Sequence, residues 1–572
     1  MKHIRPFALV LVFFTFYLWN TKVLFESDNL YGRFDWDMYS FHVEFLRKSF
    51  LEFGTAPLWN PYYGAGFPVW ENPTSKVGSI THLLVLFFPT LNALKISFLV
   101  YFILSGFLNF HSFRLYTKYT NLPSLFFVFL FQFSGFVFQK LYAGHLNQIP
   151  GLFLPSLVFY ILYFVQNRNW GIGILITIIT YILLSEGSIY PLTQILLLLF
   201  FLVPREIYIS KSPKQSFINL SILTLFILVV LSFKWVPTYE FIHKVGRHFV
   251  ADTFSLTHKD LYFIFFGSSQ HPHLTTSISQ MQYRYWEYGN YLGQFPLYLF
   301  LLLFFIKKRM LPVLFLLGLV LWMMMGKISP YSPASLLEQL PIYSWERVYP
   351  RWSLSVVFLY TWCLAVGFQN LWDWIPSRYH KGLEILTILC FLFHTQDTKQ
   401  MNTKYLSEIF ILPLPKIDIK NPNVYPITVP TVPDYGSDSR MLPAIQSNLS
   451  TNDIYENLTF YFTNQTITDK DYRGEVYLLS TKKGFKPKSW KPDRYEFDNL
   501  PKGETLIFNQ KYHPGFVTSI PGLEPCSYNG YLAVHAKEEV KNFTIKYFWF
   551  RNILILETDE TICKMSQIRI KN

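Results

Sequence analysis

Apolar runs long enough to cross a bilayer recur through the first 397 residues and then cease. A spanning helix needs about 20 mainly apolar residues. Runs near 5–24, 94–113, 121–139, 149–166, 169–185, 190–204, 215–235, 290–306, 310–326, 351–371 and 382–397 therefore predict about 11 transmembrane spans. The stretch Ile80–Pro89 is too short to span and reads as a half-buried or interfacial segment. Beyond residue 398 the pattern changes. Alternating runs such as Glu475-Val476-Tyr477-Leu478-Leu479, Thr505-Leu506-Ile507-Phe508 and Phe543-Thr544-Ile545-Lys546-Tyr547-Phe548 predict strands separated by turns. The expected fold is a polytopic α-helical membrane protein over 1–397, with a β-rich, mostly antiparallel domain over 398–572.

Composition agrees. The chain has 572 residues, 51% hydrophobic and 15% charged, against about 25% charged in soluble domains. Its net charge of +13 does not mark a nucleic-acid binder, because the basic residues sit in short loops between apolar runs. With Lys2 and Arg5 cytoplasmic, the loops at Arg114 to Lys118, Arg168, Arg205 to Lys214, Lys307 to Arg309 and Arg378 to Lys381 all fall inside. The N-terminal run lacks a small-residue cleavage site and reads as an uncleaved first helix. The outer side receives a long first loop (25–93), the loop at Gly144-His145-Leu146-Asn147, a turn at Ser185 to Ser188, loops near 236–289 and 327–350, and the C-terminal domain. Four cysteines occur. Cys363 and Cys390 lie in apolar runs and read as buried thiols, whereas export would permit a disulfide between Cys526 and Cys563.

Two acids, Asp35 and Asp37, stand just past the first span, where a carboxylate is costly and a functional candidate. Residues 38–53 follow roughly a helical period, which predicts an amphipathic interfacial helix. Asp37 then fits as its N-cap, which makes Asp35 the stronger catalytic candidate. In an extended segment the two side chains point in opposite directions. The Trp59-Asn60-Pro61 and Gly64-Ala65-Gly66 elements force a compact loop, either purely structural or the wall of a cavity holding the acids. Other outer-side polar residues are Asn60, His145, Glu186, Lys244, Arg247, Arg284, Glu287, Glu346, Arg347 and Arg351. Singly, each reads as a loop or anchor residue. Together, cations and acids on one face suit an anionic amphiphile, since arginine forks onto phosphate. No Walker loop, dinucleotide glycine motif or serine elbow occurs, and His271-Pro272-His273 lacks a third metal ligand.

Asp35-Trp36-Asp37, Pro57-Leu58-Trp59-Asn60-Pro61, Gly64-Ala65-Gly66-Phe67-Pro68, Gly144-His145, Tyr512-His513-Pro514-Gly515-Phe516 and Asn529-Gly530-Tyr531 together resemble the YfhO-like bacterial membrane proteins, relatives of the GT-C glycosyltransferases. The chain departs from that pattern at Phe516, where tryptophan is expected. The resemblance implies a multi-spanning enzyme of the bacterial inner membrane, with a cytoplasmic N-terminus. It would move a sugar from a polyprenyl-phosphate donor to an extracytoplasmic glycan, lipid or protein acceptor. An acid of the first outer loop, Asp35 or Asp37, would act as base, or help bind a divalent metal in relatives that use one. A transporter or flippase of lipid-linked precursors is the alternative, and a non-catalytic envelope assembly protein a third. The spans are nearly charge-free and show no repeated halves, which disfavours transport.

Overall fold

The computed structural model describes residues 15, 21–26, 30–244, 255–268, 270–272, 284–340, 342–344, 346, 348–413, 427–429, 441–452, 464–548 and 563. The chain divides into two compact units: Met1–Trp36, Lys95–Leu231 and Phe249–Pro413 form the first; Asp37–Leu94, Ser232–His248 and Leu414–Asn572 form the second. The expected two-domain division therefore shifts. The boundary falls after Pro413, and most of the first outer loop belongs with the C-terminal region.

Among the described residues, six helices are long and apolar enough to cross a membrane: Thr90–Thr117, Asn121–Ala143, Ile149–Asn167, Ile189–Ile209, Pro213–Val230 and Tyr349–Trp374. The other expected spans take different forms. Most of 5–24 lies outside the described residues. Trp170–Ser185 has 16 residues, about 24 Å at 1.5 Å per residue, short of a hydrocarbon core of about 30 Å. Leu311–Met324 has 14 residues. The expected span near 382–397 lies within a 28-residue helix, His380–Ser407. The run near 290–306 is a short α-turn, Gln294–Tyr298, followed by a seven-residue 3₁₀ stretch, Leu299–Phe305. That stretch packs on the helix Ser353–Trp374. At the crossing, a Cβ on Gly367 would stand 2.2 Å from the Leu302 carbonyl oxygen, so only glycine permits the approach.

The second unit is built on a sandwich of eight strands: β1 (Val476–Leu478), β2 (Ser489–Lys491), β3 (Arg494–Leu500), β4 (Thr505–Lys511), β5 (Phe516–Thr518), β6 (Pro525–Tyr528), β7 (Tyr531–His535) and β8 (Val540–Tyr547). One sheet has the order β6-β7-β4-β1 and the other β5-β8-β3-β2, all pairs antiparallel. Alternation in β3 puts Tyr495 and Phe497 inside, where Phe497 stacks on Phe543 and meets Phe508 edge-on. A disulfide joins Cys526 on β6 to Cys563.

Helix α1 (Asp35–Leu51) begins at the two acids. From Asp37 onward it belongs to the second unit and is buried nearly all round, so it is not an interfacial amphipathic helix. Its charged side chains Glu44 and Lys48 find protein partners instead of water. Glu44 accepts from the Thr90 hydroxyl and lies 3.6 Å from Arg47, and Lys48 bonds Glu52 at 2.7 Å. His42 lies against Tyr63. The expected half-buried segment is the six-residue helix Ile80–Val85, with Leu83 exposed on it and Phe87 and Phe88 exposed just after it.

The proline and glycine loop is a packing element. Trp59 donates to Gln510 Oε1 at 2.9 Å and meets His513, Phe516 and Tyr547 with ring centroids 5.7, 4.9 and 4.9 Å away. Gly66, at φ +92°, leaves room for that indole, since a Cβ there would lie 2.5 Å from it. The loop motif and the Tyr512-to-Phe516 motif are thus two sides of one aromatic core. Trp59→Ala should cost the second unit about 3–5 kcal/mol, read as a lowered melting temperature of the detergent-solubilised protein. His42 gives a pH signature. Burial, reinforced by Lys76, lowers its pKa to about 3. The unfolded chain therefore binds a proton that the folded one refuses, so this contribution is full above the ordinary histidine value and is lost as pH falls toward about 3. His42→Phe should show a smaller drop in melting temperature between neutral and acid pH than the wild type.

Candidate functional site

A polar centre lies entirely within the first unit. It is assembled at the C-terminus of helix α2 (Gly135–Ala143). A helix leaves its last carbonyls without intrahelical partners. Here the His145 amide bonds the Lys140 carbonyl at 2.9 Å, and the Gly144 amide bonds that of Leu141 at 3.1 Å. Gly144 takes the left-handed conformation that such a cap needs, at φ +77°. The Trp36 indole adds a third bond, donating to the Leu141 carbonyl at 2.6 Å. Trp36 also packs edge-on against Phe410. Asp35 is thereby delivered to His145.

From Asp35 a chain of charged groups runs inward. Asp35 Oδ2 lies 3.5 Å from His145 Nε2, and His145 Nδ1 lies 3.9 Å from Glu287 Oε2. Glu287 stands on a single-turn helix, α3 (Tyr285–Tyr288). Arg351 donates to its Oε2 through Nε at 2.8 Å and lies 2.7 Å away through Nη2. Lys140 donates to the Trp286 and Glu287 carbonyls at 2.9 and 2.7 Å, which pins the same turn. Side-chain exposure falls along the chain: 27% for Asp35, 12% for His145, 11% for Glu287 and 6% for Arg351. Burial alone would raise the Glu287 pKa, but Arg351, with His145 and Lys140, outweighs it and holds the carboxyl well below its usual range. Glu346 behaves oppositely. Burial raises its pKa to about 7 although the Thr193 hydroxyl donates to it at 2.7 Å and Arg351 and Trp352 favour its charge.

Two more cations stand on the aromatic pair formed by Phe34, which precedes Asp35, and Trp286. The Arg33 guanidinium lies 5.5 Å from the centre of the Phe34 ring, and that of Arg284 lies 4.9 Å from Trp286. Those two rings are 5.3 Å apart. Arg33 is half-exposed and Arg284 exposed.

Of the residues expected from sequence, Asp35, His145 and Arg351 are thus linked through Glu287, with Arg284 at the start of the same turn. The others are placed differently. Asp37 is buried in the second unit, where its carboxylate accepts from the Met441 and Leu442 amides, both at 3.1 Å, at the start of helix α4 (Met441–Gln446). It caps that helix rather than α1. Asn60, also in the second unit, accepts from the Tyr62 amide in an Asx turn. Glu186 is buried and accepts from Tyr101. Lys244 ends the helix Ser232–Lys244, its side chain outside the described residues, as are Arg247 and Arg347. Arg33 and Lys140 were not singled out from sequence. Lys140 carried a signal, a lone lysine in an apolar run, whereas Arg33 carried none beyond its adjacency to the acids. Among the described residues, no three His, Cys, Asp or Glu side chains gather as metal ligands. Glu287, with Arg351 already on it, is committed to ion pairing.

Gly144 tests the assembly. A Cβ there would stand 2.3 Å from the Trp36 backbone nitrogen, at a positive φ. Gly144→Ala should destabilise the first unit by at least about 1–2 kcal/mol from the left-handed backbone alone. The check is the melting temperature together with Trp36 fluorescence in a variant keeping that tryptophan alone.

Compared with known proteins, the chain matches no family model and no curated protein.

Proposed function

We propose that this chain is a membrane glycosyltransferase of the GT-C kind, with about 11 spans, a cytoplasmic N-terminus and the site on the outer face of a bacterial inner membrane. It moves a sugar from a polyprenyl phosphate to an extracytoplasmic acceptor. The observation that carries the reading is Asp35, the most exposed acid of a charged chain, directly following Phe34 of an aromatic pair on which two arginines stand.

Such a transfer needs a base for the acceptor hydroxyl and cations where phosphate charge develops. The acceptor O–H bond breaks and its proton passes to the Asp35 carboxylate. The acceptor oxygen bonds the anomeric carbon, and the carbon–oxygen bond to phosphate breaks with its electron pair leaving on the phosphate. Arg33 and Arg284 are suited to fork onto that phosphate, and Phe34 and Trp286 to the interfacial depth of its head. Arg351 is excluded from this duty, because its guanidinium is committed to Glu287. Buried lysines do not favour transport. Lys95 lies near the start of one spanning helix and Lys140 near the end of another.

The test uses the full chain in liposomes with radiolabelled polyprenyl-phosphoglucose, -mannose, -galactose and -N-acetylglucosamine, measuring label released to the aqueous phase or to added envelope membranes. Asp35→Asn should lower turnover at least about 100-fold while the protein remains folded. Asp37→Asn should lower the melting temperature and retain turnover. Unchanged turnover in Asp35→Asn would remove the base assignment.

A further inference from the structure

We propose that His145 is a catalytic proton acceptor, taking the proton that Asp35 has removed from the acceptor, and that Glu287 is the positioning residue that prepares it. This rests on the transfer reading above and adds two residues to it.

After each transfer Asp35 is left as a carboxylic acid and must lose its proton before it can act again. His145 Nε2 stands 3.5 Å from Asp35 Oδ2. Whether Nε2 can accept depends on the tautomer, which is set by what faces the other ring nitrogen. Nδ1 faces Glu287 Oε2 at 3.9 Å. Once Asp35 has become a neutral acid, the ionised carboxylate of Glu287 favours a hydrogen on Nδ1 and leaves the Nε2 lone pair directed at Asp35. This is the logic by which a buried acid orients a catalytic histidine.

Arg351 makes the arrangement directional. Its guanidinium places two nitrogens on the same Glu287 oxygen that faces His145, at 2.8 and 2.7 Å. Held ionised in this way, Glu287 stabilises an imidazolium without taking its proton, so the proton does not move on to Glu287. The 3.9 Å gap at Nδ1 exceeds a hydrogen bond by about 1 Å. The charged groups facing the ring are Asp35 and Glu287; Lys140 and Arg351 act in turn on Glu287, and Glu346 on Arg351. The steps balance. The proton leaves Asp35 Oδ2, bonds to His145 Nε2, and passes from there to water, restoring carboxylate and neutral imidazole.

The experiment follows turnover of the full chain in liposomes between pH 5 and 9, with the same four radiolabelled donors. His145→Gln should reduce kcat about 100-fold and leave KM within about two-fold. Its acid limb should move to lower pH, because the carboxylic acid of Asp35 then titrates alone. In parallel, the full chain labelled at histidine Cε1 is titrated by NMR in nanodiscs, with the His145 signal assigned from its loss in His145→Gln. Glu287→Gln keeps an oxygen for Arg351, and its melting temperature establishes folding. It should lower the His145 midpoint by about one pH unit or more, and the acid limb of kcat should follow. A merely structural histidine would alter stability without moving that limb. Asp35→Asn inactive while His145→Gln keeps wild-type kcat and pH profile overturns the relay alone. So does a His145 midpoint indifferent to Glu287→Gln in folded protein. No turnover with any donor overturns the transfer reading, and the relay with it.

Discussion

Glu287 and Arg351 form an ion pair inside the first unit, and the cost of keeping those charges out of water governs what surrounds them. Removing one partner of a buried pair typically costs about 3–5 kcal/mol, because the other is stranded. The guanidinium must therefore stay on the carboxylate, and the carboxylate on its turn of helix. Lys140 holds that turn by its carbonyls. Once the turn is fixed, Arg284 and Trp286 are fixed at its mouth and Glu287 Oε2 faces His145. Trp36 does the complementary work on the other side, tying Asp35 to the same helix end that carries His145. The most exposed acid thus rests on a foundation of progressively less exposed charge.

Asp35 and Asp37, two residues apart, have different physical duties. Asp35 remains accessible and faces an imidazole. Asp37 is buried against two backbone amides, where it completes a helix terminus as an N-cap does. A pair of acids in one short motif therefore need not be a catalytic pair. The same holds for the proline and glycine loop, whose tryptophan fills an aromatic core.

The apolar runs made the spanning helices legible, because length and hydropathy are local properties. Period-2 alternation likewise exposed the strands of the sandwich. Residues 38–53 were misleading for a physical reason: a helical period says that two faces differ, and the polar face can be satisfied by protein as well as by water. Glu44 and Lys48 are satisfied that way. The 3₁₀ stretch at Leu299–Phe305 was illegible because its apolar run fits either helix type. Within the site, Asp35, His145 and Arg351 were visible as outer-side polar residues. Their connection was not. Glu287 and Arg351 are 64 residues apart, and no local pattern encodes a contact at that separation. Arg33 was hidden for another reason, since its role comes from the ring that Phe34 presents to Trp286.

Gly367 has a thermal consequence. Where two helices meet over apolar side chains in water, the force between them weakens on cooling. Between lipid tails that force is missing, because the tails are as apolar as leucine. The approach of Gly367 to the Leu302 carbonyl draws instead on dispersion between closely set backbones. That attraction is enthalpic, so the helix Ser353–Trp374 and the 3₁₀ stretch should grip each other more firmly in the cold.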